Sequence, residues 1–234
     1  MRDRGLIHTS PTRASSRRSP ISIDVILLTP RGKQLAALCV RADDVRARER
    51  WCLPYDEARG DETLEEAARR IVVTAIGVAP SWMEQLGAFA DGLRHPGDSE
   101  LSVGFVAVAP TPAAASSATE AAWFAVGEPP ALAPRQRVMF DAAQTAIRNR
   151  MDHAPIAFRL LPPQFTLGEL QQTYELLLGK RLHKASFRRA LQAAYLVEPI
   201  DEWRSEGRGR PAQFFRFAPR KRRSHRRGVR FDLL

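Results

Sequence analysis

Apolar and polar positions alternate from Ser22 onward, with Ile23, Val25 and Leu27 on one side of an extended segment. Thr29-Pro30-Arg31-Gly32-Lys33 then turns the chain into Leu35-Ala36-Ala37-Leu38, so the pattern predicts a hairpin. Further strands are expected at 51–53, 84–90, 101–109 and 121–125. The period becomes helical over 63–76, where apolar residues fall at 64, 67, 68, 71 and 75 and Thr63 and Glu66 are spaced as a capping box. A second helix is expected over 134–151, with Val138, Ala142, Ala146 and Ile147 on one side. Residues 110–122 are small and polar and predict a loop.

Pro155 and Pro162-Pro163 interrupt the pattern and mark a join. Thr166 and Glu169 then form a second capping box, opening a helix whose face carries Leu167, Leu170, Tyr174 and Leu177 and which Gly179 ends. The next helix, near 184–194, is expected to bury Phe187, Ala190 and Leu191. Leu196-Val197 and residues 213–217 predict a strand pair around a loop at 200–210. The order is that of a helix-turn-helix closed by a β-wing. The expected organisation is therefore α+β, with a body over 21–153, a winged helix over 154–218, and flanks at 1–20 and 219–234 that lack the apolar content to fold alone.

Charge separates these parts further. The 234-residue chain carries a net +10, distributed as +4 over 1–20, −4 over 21–154, +4 over 155–218 and +6 over 219–234. An acidic body between basic segments implies a polyanion partner for the flanks and the C-terminal module alone. The two cysteines, Cys39 and Cys52, fall in apolar strand-like stretches and predict packed core thiols. No apolar run approaches the roughly 20 residues that a membrane span needs. No apolar stretch follows the N-terminal arginines as a secretory signal would require, so a cytoplasmic protein with no membrane partner is expected.

The C-terminal module supplies the clearest chemistry. With Phe187 and Leu191 inward, Lys184, Ser186, Arg188 and Arg189 lie on the outer side of the second helix. A helix fits the DNA major groove, where Arg or Lys bonds guanine edges and Ser adapts to any base. Arg208 and Arg210 flank Gly209, which lets a wing tip approach a phosphate or the minor groove closely. The run from Arg220 to Arg230 would grip phosphate without reading sequence, and RNA or an acidic protein would serve it equally.

Both parts resemble known families. The order of elements over 21–150, with Trp51-x-Leu53-Pro54 ahead of the first helix, resembles the Nudix hydrolase fold. That family's box reads Gly, five residues, Glu, seven residues, Arg-Glu-apolar, one residue, Glu-Glu, one residue, Gly-apolar. Glu62 and Arg70 fix the frame here, placing Asp56 at the first Gly and Ile71, Thr74 and Ala75 at the three glutamates after the arginine, while Val72 and Gly77-Val78 match. Those glutamates hold divalent metal against a pyrophosphate, so the resemblance without them implies a pocket with no metal, no cofactor and no catalytic residue. Glu65 and Glu66 belong to a solvated helix face. Glu84-Gln85-Leu86, Phe89, Asp91 and Arg94-His95-Pro96 resemble the segment after the box in ADP-ribose-type members, with His95 at the usual Asp. On that resemblance Trp51 or Phe89 would stack on an adenine, Arg94 would face a phosphate, and Glu62 and Arg70 would belong to the same pocket. The plainer alternatives are that Phe89 is core, that Arg94 is a solvated loop residue, and that Glu62 and Arg70 form a structural pair.

Residues 165–217 resemble the winged helix of Nudix-related transcriptional regulators of NAD metabolism. The matches are Phe165-Thr166-Leu167, Glu169-Leu170-Gln171 and Tyr174-Glu175; then Ser186-Phe187-Arg188-Arg189, with Ser for the usual Asn; then Gly209-Arg210-Pro211-Ala212 with Phe215-Arg216. The resemblance implies a repressor of NAD-synthesis or salvage genes that binds double-stranded operator DNA as a homodimer and senses ADP-ribose or a related nucleotide. Two other readings stay open: an active pyrophosphohydrolase with an accessory nucleic-acid-binding domain, and a ligand-independent DNA-binding protein whose body serves dimerisation.

Overall fold

A computed structural model describes residues 21–42, 49–110, 120–151, 154–205 and 211–218. Its centre is a mixed seven-stranded sheet made of β1 (Ile21–Arg31), β2 (Gln34–Arg41), β3 (Trp51–Cys52), β4 (Tyr55–Asp56), β5 (Trp82–Phe89), β6 (Leu101–Val108) and β7 (Ala121–Ala125). The path runs β3-β2-β1-β6-β5; β4 pairs with β1 and β7 with β2. Only the β1–β6 pairing is parallel among the described pairs of this sheet. The predicted hairpin is β1–β2, turning at Gly32, whose φ of 60° favours glycine.

The alternation of β1 has a cause beyond one buried face. Ile23, Val25 and Leu27 pack with Ala67, Ala68, Ile71 and Ala75 of α1 (Leu64–Ile76). Ile26 and Leu28 point the other way, into a cluster with Met139, Phe140, Ala143 and Ile147 of α2 (Pro134–Arg150). Both faces of the sheet are thus covered, giving an α/β/α sandwich, and the polar residues Ser22 and Asp24 are buried rather than exposed as a half-buried strand would have them. Thr63 and Glu66 make the predicted capping box, and Gly77 closes α1 with φ 74°.

Several expectations shift. Leu64 and Val138 are exposed. The inner face of α2 is Gln136, Met139, Phe140, Ala143 and Ile147, so only Ile147 of the predicted set is fully buried. Gln136, a polar residue at a core position, hid this phase from a purely apolar count.

The C-terminal part begins with a 3-10 turn at Ala157–Leu160 and β8 (Gln164–Thr166), followed by α3 (Leu167–Leu178), α4 (Lys184–Ala194), β9 (Val197–Arg204) and β10 (Ala212–Phe217). The second capping box forms between Thr166 and Glu169, and Gly179 ends α3 at φ 68°. The wing is a three-stranded sheet in the order β8-β10-β9. The predicted strand at 196–197 runs on to Arg204, because its residues ladder against β10, and the loop is correspondingly shorter than 200–210. Arg204 ties the wing back to α3: it donates to Glu169 at 2.6 Å and lies over the Phe214 ring at 4.8 Å.

Aromatic packing sets the shape of the C-terminal part. Phe158 contacts Phe165, Tyr174 and Phe217, and Tyr174 meets Phe187 edge-on at 5.4 Å. These rings share one apolar cluster with Leu28, Val108 and Ile147, so the core of the C-terminal part is continuous with one face of the seven-stranded sheet. Phe187 is fully buried and carries α4. Phe187→Ala removes a buried ring and is expected to cost about 3–5 kcal/mol. Urea unfolding should show that loss in a single transition, since the cluster runs through both parts.

Candidate functional site

The box region is built by β4, the loop 57–62 and α1. Arg70 projects from the second turn of α1 into a ring of oxygen acceptors. Its guanidinium donates to Glu62 Oε1 at 2.5 Å and Oε2 at 3.1 Å, to Asp56 Oδ2 at 2.6 Å and to the Glu57 carbonyl at 2.8 Å. Arg59 adds a second guanidinium on Asp56 at 2.7 Å. The hydrogen bond from Arg70 holds the Glu62 carboxyl below the usual carboxylate range. For Asp56 burial pushes upward, but the Glu57 amide, Arg70 and Arg59 outweigh it and the net shift is down. Glu62 and Arg70 are therefore a structural pair, and Asp56, at the position of the family's glycine, completes a clamp that closes the loop onto the helix.

Metal does not fit this region. Ile71 and Ala75 are buried in the sheet-facing core and Thr74 offers one hydroxyl, while Glu62 is occupied by Arg70. Among the described residues no group of three or more His, Cys, Asp or Glu side chains is placed to hold an ion. Beside the clamp a groove remains. One cavity of about 130 Å³ lies against Tyr55, Arg59, Arg70 and Thr74, and one of about 340 Å³ lies against Arg41, Tyr55, Glu57 and Ser99; both touch Val40, Tyr55 and Asp56.

The remaining pocket candidates do not converge on that groove. Trp51 packs edge-on against Phe124 at 5.1 Å, and Phe89 lies over Gly104 beside Met139, where an added Cβ would come within 3.0 Å of the ring. Both belong to the α2 face of the sheet, whereas Glu62 and Arg70 frame the α1 side. Arg94 is bonded to Glu49. Its loop is anchored by Arg135, which is buried and donates to Asp91 at 3.1 Å and to the Ser99 carbonyl at 2.6 Å.

Under the groove lies a network that the sequence did not disclose. His95 Nδ1 accepts from the Gly97 amide at 3.0 Å, which leaves Nε2 carrying the proton and donating to Asp24 Oδ1 at 2.9 Å. Asp24 also accepts from Gln136 at 2.8 Å and from Ser22 at 2.8 Å. Gln136 in turn accepts the Leu53 amide at 2.9 Å, and Tyr55 packs edge-on against His95 at 4.8 Å. The position where the family has Asp thus holds a satisfied structural histidine, which sets the floor beneath Tyr55. The available signal was Gln136 at helical spacing among core residues.

The nucleic-acid candidates lie on α4. Lys184, Arg188 and Arg189 are exposed and Ser186 is half-buried. Ser186 Oγ stands 3.3 Å from His183 Nδ1 and 3.5 Å from Arg189 Nη2. No side chain caps the N-terminus of α4 and no acid stands in its first turn. The positive end of the helix and its cations therefore face outward together, an arrangement that favours an anionic partner. Arg208 and Arg210, and the basic flanks at 1–20 and 219–234, lie outside the described residues. Among the described residues no helix is long and apolar enough to cross a membrane.

A sheet covered on both faces by α1 and α2, followed by a helix pair and wing that present cations, defines a Nudix-fold body joined to a DNA-binding module. Residues 18–143 match the NUDIX domain, and the chain belongs to that family. Residues 157–217 match the NrtR DNA-binding winged helix domain. The chain is 26% identical over 208 residues to the ADPR responsive transcriptional repressor NtrR of Acinetobacter baylyi, covering 86% of this chain and 83% of that protein. It resembles the crystal structure of Shewanella oneidensis NrtR complexed with a 27mer DNA, with TM-score 0.74 and 27% identity over 86% of this chain and 94% of the other. A MutT/nudix family protein from Enterococcus faecalis shares the fold, with TM-score 0.69 and 20% identity over 87% and 89% of the two chains.

The clamp makes a prediction with a definite sign. Folded-state pKa values of Glu62 and Asp56 are depressed, so their contribution to stability is present above the unfolded values and is lost as pH falls through the folded ones. The melting-temperature gap between wild type and Arg70→Ala should be full at pH 7 and should shrink below about pH 4, near and below the ordinary carboxylate range.

Proposed function

We propose that this chain is a transcriptional repressor of NAD-synthesis or salvage genes, acting in the cytoplasm as a homodimer on double-stranded operator DNA. Residues 21–153 serve as a sensor of ADP-ribose or a related nucleotide, and 154–218 as the reader. The observation that carries this reading is the outward face of α4, with Lys184, Ser186, Arg188 and Arg189 free of the core while Phe187 and Leu191 anchor the helix. The named repressor of A. baylyi is responsive to ADPR and the Shewanella protein was crystallised on DNA, and both align over most of this chain. A dimer brings two reading helices to two half-sites. Arg208 and Arg210 at the wing are proposed to meet phosphate or the minor groove.

The sensor works without hydrolysis. Ile71, Thr74 and Ala75 replace the carboxylates that would hold an ion, and Arg59 and Arg70 bring fixed cations to the same groove. A bound nucleotide favours one dimer geometry over another, and linkage makes it weaken DNA binding. Trp51, Phe89 and Arg94 lie away from this groove or are paired within the fold, so the effector is expected to rest on Tyr55 and Arg59.

Two measurements test the reading. ADP-ribose should raise the melting temperature and weaken operator binding equally in magnesium and in EDTA, with no AMP released. Magnesium-dependent AMP formation that Glu62→Gln abolishes would make the protein a hydrolase. No thermal shift at millimolar ADP-ribose would favour a body that only dimerises, or another effector. On the reading side, a base-contacting Arg contributes about 1–3 kcal/mol at its own position. Arg189→Ala should therefore flatten discrimination between operator and scrambled DNA, whereas deletion of 219–234 should weaken both alike and lower the salt slope. Loss of specificity on tail deletion with Arg189→Ala intact would move the reading element to the tail.

A further inference from the structure

Two adjoining cavities, about 390 and 540 Å³, open between the sensor and the reader. Both touch Lys33, Glu175, Leu176 and Gly179, so they form one cleft. Its floor is apolar, with Leu28, Ile147 and Leu177 buried along it. Its rim is cationic, and the cations come from three separate elements. Lys33 stands at the β1–β2 turn, Arg148 on α2, and Lys180 in the turn between α3 and α4. Arg148 reaches toward the reader: its Nη2 lies 3.7 Å from where a Cβ on Gly179 would stand.

The acids of the cleft do not balance these charges. Glu175 is already taken, accepting from the Leu182 amide at 2.9 Å, Gln171 at 3.0 Å and Arg181 at 3.2 Å. Glu128 is the other carboxylate along the lining. Among the described residues no ion pair forms to Lys33, Arg148 or Lys180. The C-terminal end of α3 offsets about half a charge, which leaves a cationic excess over an apolar floor. The apolar lining belongs to the smaller cavity, with Leu28, Leu35, Val126, Ile147 and Leu177, while the larger is lined mainly by polar and charged side chains; sites for small molecules at domain boundaries combine such an apolar part with polar groups that fix orientation.

We propose that this cleft binds a small phosphorylated molecule with a planar or apolar part, separately from the groove beside α1. Lys33, Arg148 and Lys180 meet the phosphate, and Leu28, Ile147 and Leu177 carry the apolar part. The walls belong to both sensor and reader, and Lys180 stands four residues before Lys184 on α4. A ligand that fits one spacing of these walls better than another shifts the population toward it and changes how α4 meets DNA. That effect on DNA rests on the sensor–reader function above; binding in the cleft does not.

The experiment uses the full chain with AMP, adenosine and inorganic pyrophosphate as probes, measured by calorimetry in EDTA. AMP should bind more tightly than either of the other two, because it alone offers both the phosphate and the planar base. Lys33→Glu and Arg148→Glu, both at exposed side chains, should weaken AMP at least tenfold, and Lys33→Gln and Arg148→Gln should weaken it less. All four should keep the wild-type melting temperature and the ADP-ribose shift. Tyr55→Ala should show the reverse, losing ADP-ribose and keeping AMP. AMP binding that is absent, or that Tyr55→Ala abolishes while Lys33→Glu leaves it intact, overturns the proposal. So does an equal loss of operator and scrambled DNA binding in Lys33→Glu with no nucleotide present, which would make the cleft a grip on the DNA backbone. AMP bound with no response to ADP-ribose would leave the cleft standing and remove the sensor assignment instead.

Discussion

The burial of one sheet face against α2 and, through α2, against the reader is the constraint on which the rest of the molecule depends. Leu28 of the central strand and Ile147 of α2 share a cluster with Phe158, Tyr174 and Phe187 of the reader. Interiors pack densely and do not deform continuously. The reader therefore does not swing freely on the sensor; it has a preferred seat, and leaving it exposes apolar surface at about 25 cal/mol per Å².

Much of this was legible because local signals agree with the packing. Two capping boxes, two glycines at positive φ and the helical spacing of Phe187 and Leu191 placed α1, α3 and α4 within a residue or two. The hairpin and the wing followed from turn residues and short apolar runs. Four features escaped for physical reasons. β8 is three residues long and is specified only by its partner β10. β9 carries Glu198, Asp201 and Glu202, whose polarity hides a strand that its ladder to β10 defines. The phase of α2 was obscured by Gln136, which is polar yet buried because Asp24 and Leu53 satisfy it. The α1 groove was anticipated from the box, but its Tyr55 was passed over, since only the fold brings it against His95.

The pocket candidates taken from the resemblance are spread over both faces of the sheet. Trp51 and Phe89 are aromatic at positions that suggest stacking, yet both serve the α2 face of the sheet. Side chains one residue apart on a strand face opposite ways, so a contact predicted from a motif fails whenever the strand's facing is unknown. Register, not residue type, decided these two. Arg94 illustrates a different limit: an arginine chosen as a phosphate partner is bonded to Glu49, which lies far away in sequence.

The altered box shows how the groove is held where Ile71, Thr74 and Ala75 stand at the family's glutamates. A helix that stacks several carboxylates at neighbouring turns is self-repelling and needs a cation to hold it together. Replacing them with Ile71, Thr74 and Ala75 removes that repulsion, and Ile71 and Ala75 add buried surface against β1 and β6. Arg70 fastens the loop ahead of the helix as a fixed charge, bridging Asp56, Glu57 and Glu62 at 2.5–2.8 Å. Asp56, standing at the family's glycine, is what gives the arginine a second carboxylate. The clamp thus joins two residues that the family's box shares, Glu62 and Arg70, to one that it does not, Asp56: the loop–helix geometry is held by a side chain that is always charged.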